Sequence, residues 1–200
     1  MKISKYNRIL LLLTTVFASY LVAVGVDNLN AIPIITYTIG FGTLLVTSLM
    51  LNLLGYDALE SSIVIIISTI IPLSLSLGLV WQYFTGLRQI YFVFSLLGLF
   101  AIALSRLSSL VKLTPILISL VHGISGLTIF ILPIIITINH RMPPIFYFVG
   151  LGGGFIGVGS LLLTQLKSNY PYVNRQVILN IFPILLFLAT LSFVIGFTAY

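Results

Sequence analysis

One histidine stands inside a long apolar stretch, and its imidazole is the side chain most suited to chemistry in this sequence. His122 lies in residues 114–139, which contain no formally charged residue. Imidazole can bind and release a proton near neutral pH and can contact a polar ligand. Ionisable side chains inside a membrane are costly and face a bundle interior or a water-filled cavity. Two roles for His122 are therefore open: an interhelical hydrogen bond that fixes packing, which is slightly favoured, and contact with a ligand or a response to protons.

Small and polar residues surround His122 in the sequence. At about 100° per residue, one helix face carries Ser119, His122, Gly123 and Gly126, and Ser125 follows His122 within one turn. This face predicts a narrow polar stripe on an apolar helix. The other residues that we predict along a solute path are Ser68, Ser76, Thr43 and Asn180.

Prolines interrupt three of the apolar stretches, at Pro72, Pro133 and Pro183. Because proline has no N–H, each one removes the hydrogen bond to a carbonyl group four residues earlier. The carbonyl groups freed in this way belong to Ser68, Ile129 and Leu179. In a membrane such carbonyls need partners or a cavity, so they could coordinate a cation or a polar solute. Simple kinks repaired by Ser and Thr side chains are the alternative.

An acidic pair precedes the third apolar stretch. Asp57 and Glu60 have the spacing Asp-x-x-Glu, a variant of the capping box that satisfies free N–H groups at the start of a helix. Negative charge there also opposes the positive end of the helix dipole. We predict that the pair caps the helix. A point of access for protons or cations is the sharper hypothesis, and the two roles are compatible.

Glycines cluster in the sixth apolar stretch. The order Gly152-x-Gly154-x-x-Gly157 matches a dinucleotide-binding fingerprint, but that fingerprint requires a strand before it and a helix after it. Because these glycines lie within an apolar span, we reject the match. Glycines four positions apart let helix backbones approach closely. The residues to which we assign helix packing are Gly40, Gly150, Gly153, Gly154 and Gly157; a backbone wall along a substrate path is the alternative.

Side chains for metal or hydrolytic chemistry are scarce. The chain has two histidines, three acidic residues and no cysteine. On one helix, His122 and His140 would be about 27 Å apart along the axis, so the two cannot ligate one haem within a chain. We therefore predict no metal site and no cofactor, and we favour a protein that is not an enzyme.

The composition places these residues in a membrane. Of 200 residues, 60% are hydrophobic and only 6% are charged, whereas a soluble domain has about 25% charged residues. About 20 apolar residues are enough to cross a bilayer. The sequence predicts an all-α bundle of seven transmembrane helices in a single domain, residues 1–200, with spans at about 8–26, 33–54, 61–82, 89–105, 113–138, 144–165 and 176–198.

The distribution of Lys and Arg predicts the orientation. If the N-terminus is cytoplasmic, the cytoplasmic links hold Lys2, Lys5, Arg8, Arg106, Lys112, Lys167 and Arg175. The other side holds only Arg88 and Arg141. The positive-inside rule therefore predicts a multi-pass protein of the cell membrane with the N-terminus in the cytoplasm and the C-terminus outside.

The expected partner is the lipid bilayer. The net charge of +6 does not indicate nucleic-acid binding, because the basic residues are scattered singly and form no cluster. Self-association and assembly with other membrane subunits both stay open.

Two apolar stretches are similar to each other. Residues 33–42 and 143–152 share a proline, an isoleucine, a tyrosine and two glycines at a constant offset of 110 positions. The pattern predicts two parallel triplets of helices joined by a fourth helix, a 3+1+3 arrangement, and parallel repeats occur in transporters. Chance similarity between apolar helices is the alternative.

Three functions are compatible with these features. A carrier or channel for a small solute or ion, with a polar path around His122, is favoured because polar stripes and broken helices suit such a path. A non-catalytic subunit or assembly factor of a larger membrane complex is the first alternative, and the short links between helices favour it. A lipid- or quinone-binding membrane protein is the second.

Overall fold

The computed structural model describes residues 3–26, 29–107, 113–166 and 173–200, apart from the side chains of Glu60 and Thr164. This part of the chain contains seven long helices: α1 (Lys5–Val24), α2 (Ala31–Leu54), α3 (Ser62–Tyr83), α4 (Arg88–Leu107), α5 (Thr114–Ile138), α6 (Tyr147–Gln165) and α7 (Arg175–Phe197). Each is long and apolar enough to cross a membrane. The predicted all-α bundle of seven transmembrane helices is confirmed, and the chain is a multi-pass membrane protein.

Glycines end the first two helices. α1 ends at Val24 because Gly25 has a φ of 73°, and α2 ends at Leu54 because Gly55 has a φ of 81°. Residues with a Cβ avoid this left-handed region, so glycine favours a helix end. The amide of each glycine donates a hydrogen bond to the carbonyl oxygen four residues earlier. The first helix therefore stops two residues before the predicted end at position 26.

The turn between α2 and α3 differs from the predicted capping arrangement. Tyr56–Glu60 form a short 3-10 helix, and Asp57 lies in its first turn. α3 begins only at Ser62, with Ser61 as its N-cap and no side-chain hydrogen bond at the cap. Asp57 is therefore not the N-cap of α3, as the sequence predicted, because it lies inside this separate 3-10 helix and Ser61 occupies the cap position. The part of the prediction that concerns the Glu60 side chain lies outside the described residues.

Six of the helices form a closed ring in the order α1, α2, α3, α5, α6, α7, with α7 packed against α1. α4 lies beside the ring and packs against α3 and α5. The triplets α1–α3 and α5–α7 therefore meet at two junctions, one between α3 and α5 and one between α7 and α1.

Successive helices run in opposite directions, so the bundle has two faces. The N-terminal face carries the helix ends at Lys5, Leu54, Ser62, Leu107, Thr114, Gln165 and Arg175. The C-terminal face carries the helix ends at Val24, Ala31, Tyr83, Arg88, Ile138, Tyr147 and Phe197.

The glycines aligned by the internal similarity contact different neighbours. A Cβ built on Gly40 would lie 2.8 Å from Leu75 Cδ2 of α3, so Gly40 serves the α2–α3 contact. Gly150, its counterpart 110 positions later, serves the α5–α6 contact instead, since a Cβ there would lie 2.8 Å from the carbonyl oxygen of Phe130. The two triplets pack in the same order of helices, but the two glycines that the alignment pairs do not make equivalent contacts. A duplication of three helices stays a prediction.

Two further glycines of α6 lie against α5. A Cβ on Gly153 would be 2.6 Å from Ile129 Cγ2 and 2.8 Å from the carbonyl carbon of Ile129. A Cβ on Gly154 would be 3.2 Å from the ring of Phe130. Gly157 differs, because a Cβ there would meet no described atom within 4 Å. Close packing against α5 therefore involves Gly153 and Gly154 but does not require glycine at position 157.

Aromatic rings pack together near the C-terminal face. The ring centroids of Tyr37 and Phe41 lie 4.9 Å and 5.3 Å from that of Phe197. The ring of Phe146 lies 5.6 Å from that of Tyr200. We call this group, together with Phe193, the aromatic cluster. Its rings come from both triplets and fill the interior of the ring of helices at that face.

Hydroxyl groups beside the aromatic cluster form a hydrogen-bond network. The hydroxyl oxygens of Tyr83 and Tyr200 are 2.5 Å apart. Tyr200 donates to Gln82 Oε1 at 3.1 Å, and Tyr37 donates to the same oxygen at 3.3 Å. The network joins α2, α3 and the residues that follow α7.

Candidate functional site

A partly open cavity of about 160 Å³ lies at the N-terminal face. Its walls come from α2, α3, α5, α6 and α7, the end of α4 and the 3-10 helix after α2. The polar residues that line it are Thr47, Tyr56, Ser68, Arg106, His122, Ser160 and Arg175. Helices of both triplets therefore contribute to one site.

The helix positions of the lining residues determine how deep the cavity reaches. His122 lies eight residues after Thr114, the first residue of α5. At a rise of 1.5 Å per residue, this places it about 12 Å below the N-terminal face. The hydrocarbon core of a bilayer is about 30 Å thick, so the cavity reaches a little less than halfway through the bundle.

Two arginines line the cavity. Arg106 comes from the last turn of α4, and Arg175 is the first residue of α7. Arg175 is exposed at the N-terminal face and interacts with another group. Among the described lining residues there is no Asp or Glu. Because a guanidinium keeps its charge at all ordinary pH values, Arg106 brings a positive charge to the cavity wall.

Several polar atoms of the cavity are buried without a hydrogen-bond partner. Within the described part of the chain, they are Thr47 Oγ1, Arg106 Nε and His122 Nδ1. The backbone of Ile118, one turn before His122, lies near the imidazole ring without forming a well-aligned hydrogen bond to Nδ1. Buried polar groups normally have partners. A polar ligand in the cavity could form hydrogen bonds with these three groups, so the cavity has the properties of a binding site for a polar ligand.

Two hydroxyl groups of the cavity are already positioned by other parts of the protein. The Tyr56 hydroxyl accepts a hydrogen bond from Asn7 Nδ2 at 2.9 Å, which leaves its own proton free to be donated. Burial raises the pKa of Tyr56, and the hydrogen bond from Asn7 offsets only part of that rise. The Ser68 hydroxyl donates to the carbonyl oxygen of Ile65 at 3.0 Å, so its lone pairs remain available to a ligand.

Two of the three helix-interrupting prolines affect the cavity walls. Pro72 and Pro183 lie inside α3 and α7, and the carbonyl groups that they free belong to Ser68 and Leu179. Both of these residues line the cavity. Backbone acceptors that have lost their helical donor are therefore located on residues of the cavity wall. The third proline, in α5, lies outside the cavity lining.

Only some of the predicted path residues line this cavity. His122 and Ser68 do so. Ser119 and Gly123 are exposed on the outer side of α5, whereas Ser125 is fully buried and does not line the cavity. The buried face of α5 is thus rotated away from the stripe that the sequence suggested, and His122 lies at the edge of that face.

The other predicted path residues have separate local roles. The hydroxyls of Ser76 and Thr43 donate to carbonyl oxygens four residues earlier in their own helices, at 2.6 Å and 2.7 Å. Asn180 is exposed near the N-terminal face, where its Oδ1 accepts a hydrogen bond from Asn7 Nδ2 at 3.5 Å.

The acidic pair, predicted as a point of access for protons or cations, is not part of the described cavity lining. Asp57 is exposed, does not line the cavity and has an interaction of its own. The side chain of Glu60 lies outside the described part of the structure.

Sequence reasoning did not assign Thr47, Tyr56, Arg106 or Arg175 to the site. Both arginines lie at span ends, where long basic side chains are expected to reach the membrane surface. One feature of the sequence could have distinguished these two arginines from basic residues that only reach the membrane surface. Each stands within one turn of a helix terminus at the same face as His122, so both were within reach of a shared cavity.

No protein-family model matches this sequence, and no curated protein or solved structure is significantly similar to it.

Proposed function

We propose that this protein is a carrier for a small solute and that the cavity beside His122 is its solute-binding site. The observation that supports this most is the asymmetry of the bundle. A cavity with unsatisfied polar groups reaches from the N-terminal face to His122, whereas aromatic rings and tyrosine hydroxyls join the helices at the C-terminal face. A second pocket of about 150 Å³ at the C-terminal face lies between the ends of α1 and α7, and none of its lining residues belongs to the cavity beside His122. A solute site that is reached from one face only is what a carrier with alternating access presents in each of its two states.

The interior between the cavity and the C-terminal face favours a carrier over a channel. Large side chains fill this region and are almost fully buried, including Phe41, Leu75, Ile129 and Phe193. An open channel would need a continuous path lined by polar groups or water. A carrier instead needs its two triplets to move against each other around the bound solute. The cavity takes lining residues from both triplets, so such a motion would change its exposure.

His122 has the central role in this proposal. It is the deepest lining residue on α5, and its Nδ1 has no well-aligned hydrogen bond within the described chain. A solute that hydrogen-bonds to the ring would gain a partner that the folded protein does not supply. Losing a buried hydrogen bond costs about 1–3 kcal/mol, so removing the imidazole should weaken transport by roughly tenfold.

The test is uptake into vesicles reconstituted with the purified protein. Labelled benzoate, glucose and rubidium serve as anionic, neutral and cationic probes. We expect protein-dependent uptake of at least one probe, and His122→Ala should reduce that uptake by about tenfold. Ser119→Ala is the matched control, because Ser119 lies three residues earlier on the same helix and is exposed outside the cavity. Equal uptake by the two variants would refute the role of His122, and empty-vesicle rates for all three probes would count against transport.

A further inference from the structure

We infer that the cavity binds an organic anion, with a charged oxygen-bearing head beside Arg106 and an apolar body against the hydrophobic walls. This inference rests on the proposed function and specifies the class of solute. It also makes a claim about binding alone, which can be tested without any transport assay.

The charge of the cavity favours an anion. Arg106 lines it with its Nε unpartnered, and the described lining contains no carboxylate. Arg175 also lines it but has an interaction of its own, so the charge argument depends on Arg106. A cation would be repelled by the guanidinium of Arg106, whose Nε is buried. Arg106 is only partly buried, but its Nε is shielded from water, and an opposite charge stabilises a guanidinium in such surroundings. An anion in the cavity would supply the counter-charge of Arg106 at the same time as it fills the hydrogen-bonding site.

The hydrogen-bonding groups agree with that charge. Arg106 Nε can only donate, whereas the hydroxyls of Thr47 and Tyr56 can donate or accept. A carboxylate offers about four acceptor positions, and hydrogen bonds between a guanidinium and a carboxylate are among the strongest in proteins. Among the described lining residues, a cation would be offered only neutral oxygens, namely hydroxyls and the freed carbonyls of Ser68 and Leu179. These oxygens carry only partial negative charges, which do not offset the full positive charge of the nearby Arg106 guanidinium.

The remaining walls indicate that the anion is organic. More than half of the lining residues are apolar, and they include Leu59, Val64, Ile65, Ile118, Leu163 and Phe182. The volume of about 160 Å³ is close to that of an apolar protein cavity of about 150 Å³ that holds benzene. A bare inorganic anion would leave these walls without contacts. A carboxylate attached to one ring or to a short alkyl chain would use both parts of the site.

Such a head group could come from the aqueous phase or from the bilayer, as a small soluble carboxylate or as a fatty acid. Both have the same chemistry at Arg106. The apolar surface of the helices gives a membrane-derived ligand access to the protein, and the location at the N-terminal face gives a soluble one access. Competition between the two sources distinguishes them.

The experiment measures binding to the purified protein with three probes of one shape. Benzoate is anionic, benzamide is its neutral analogue and benzylamine is cationic. We expect benzoate to bind at least tenfold more tightly than benzamide, because hydrogen bonds to charged groups are the stronger ones. Benzylamine should not bind. Arg106→Gln should remove the preference for benzoate, whereas Arg141→Gln, at an exposed position between α5 and α6, should keep it.

Equal affinity for the three probes, or unchanged benzoate binding by Arg106→Gln, would overturn the inference. If Arg106→Gln fails to fold, the affinities of the unchanged protein for the three probes still test whether the cavity prefers an anion. Displacement of benzoate by oleate at lower concentration would assign the site to a membrane-derived anion, and preference for benzoate would assign it to a soluble one.

Failure of the inference and failure of the proposed function can be told apart. Benzoate that binds but is not taken up by vesicles would support the anion site and contradict the carrier. Uptake of glucose or rubidium that depends on His122, together with no benzoate binding, would support the carrier and contradict the anion site.

Discussion

Replacing Gly153 by alanine tests the packing of α6 against α5, on which the shape of the cavity depends. A Cβ at this position would lie 2.6 Å from Ile129 Cγ2, and 2.8 Å from both the carbonyl carbon of Ile129 and the amide nitrogen of Phe130. The side-chain contact could be relieved by a change of rotamer. The two backbone contacts cannot, because they belong to the body of α5.

The size of the effect follows from these distances. Ordinary van der Waals contact begins at about 3.4 Å, so the two helices would have to separate locally by roughly 0.6 Å. Forcing extra carbon into a packed interior typically costs about 1–3 kcal/mol. Since about 1.4 kcal/mol corresponds to a tenfold change in an equilibrium constant, the folding equilibrium should shift by roughly 5-fold to 150-fold.

The assay is reversible unfolding by a denaturing detergent in mixed micelles, followed by far-ultraviolet circular dichroism. Gly157→Ala is the matched control. It makes the same chemical change four residues later on the same helix, where a Cβ would meet no described atom within 4 Å. Subtracting the two results removes the intrinsic preference of alanine for helices, which is about 1 kcal/mol.

The comparison has a clear negative outcome. If Gly153→Ala unfolds at the same detergent concentration as Gly157→Ala, the helices do not approach as closely as described. The wall that α6 contributes to the cavity would then have to be placed differently.

Two more predictions concern the two faces of the bundle. Tyr200→Phe removes the hydroxyl that bonds to Tyr83 and Gln82, so the free energy of unfolding should fall by about 1–2 kcal/mol. Burial also raises the pKa of Tyr200 above its usual value. Above about pH 10 the unfolded chain therefore loses this proton while the folded chain keeps it, and stability should fall as pH rises. Unfolding curves at about pH 8 and about pH 11 should show a weaker pH dependence for Tyr200→Phe than for the unchanged protein; identical pH dependence would contradict a buried, protonated phenol. At the other face, Ser68→Cys should react with a membrane-impermeant thiol reagent, because Ser68 lines the cavity. Ser76→Cys, deeper in the same helix and fully buried, should stay unlabelled. The chain has no native cysteine to interfere, and protection of both positions would show that water does not reach the cavity.

The number of helices and most of their ends could be predicted from the sequence. A stretch long and apolar enough to cross a bilayer is recognisable without knowing its neighbours. Gly25 and Gly55 end α1 and α2 through their own backbone conformations, which is again a local property. The orientation, the cell-membrane location and the duplication were predicted from the same patterns and stay predictions.

The direction in which each helix faces was decided only by tertiary packing. In a soluble helix the polar side marks the surface, but in a membrane the lipid-facing and core-facing sides are both apolar. Sequence reasoning therefore placed Ser119 beside His122, whereas packing turns Ser119 outward. The same limit applies to Arg106, which joins His122 in one cavity only because the end of α4 lies beside the start of α5. The sequence by itself determined that a histidine lies within a membrane helix; the packing of seven helices decided which charges and hydroxyls surround it.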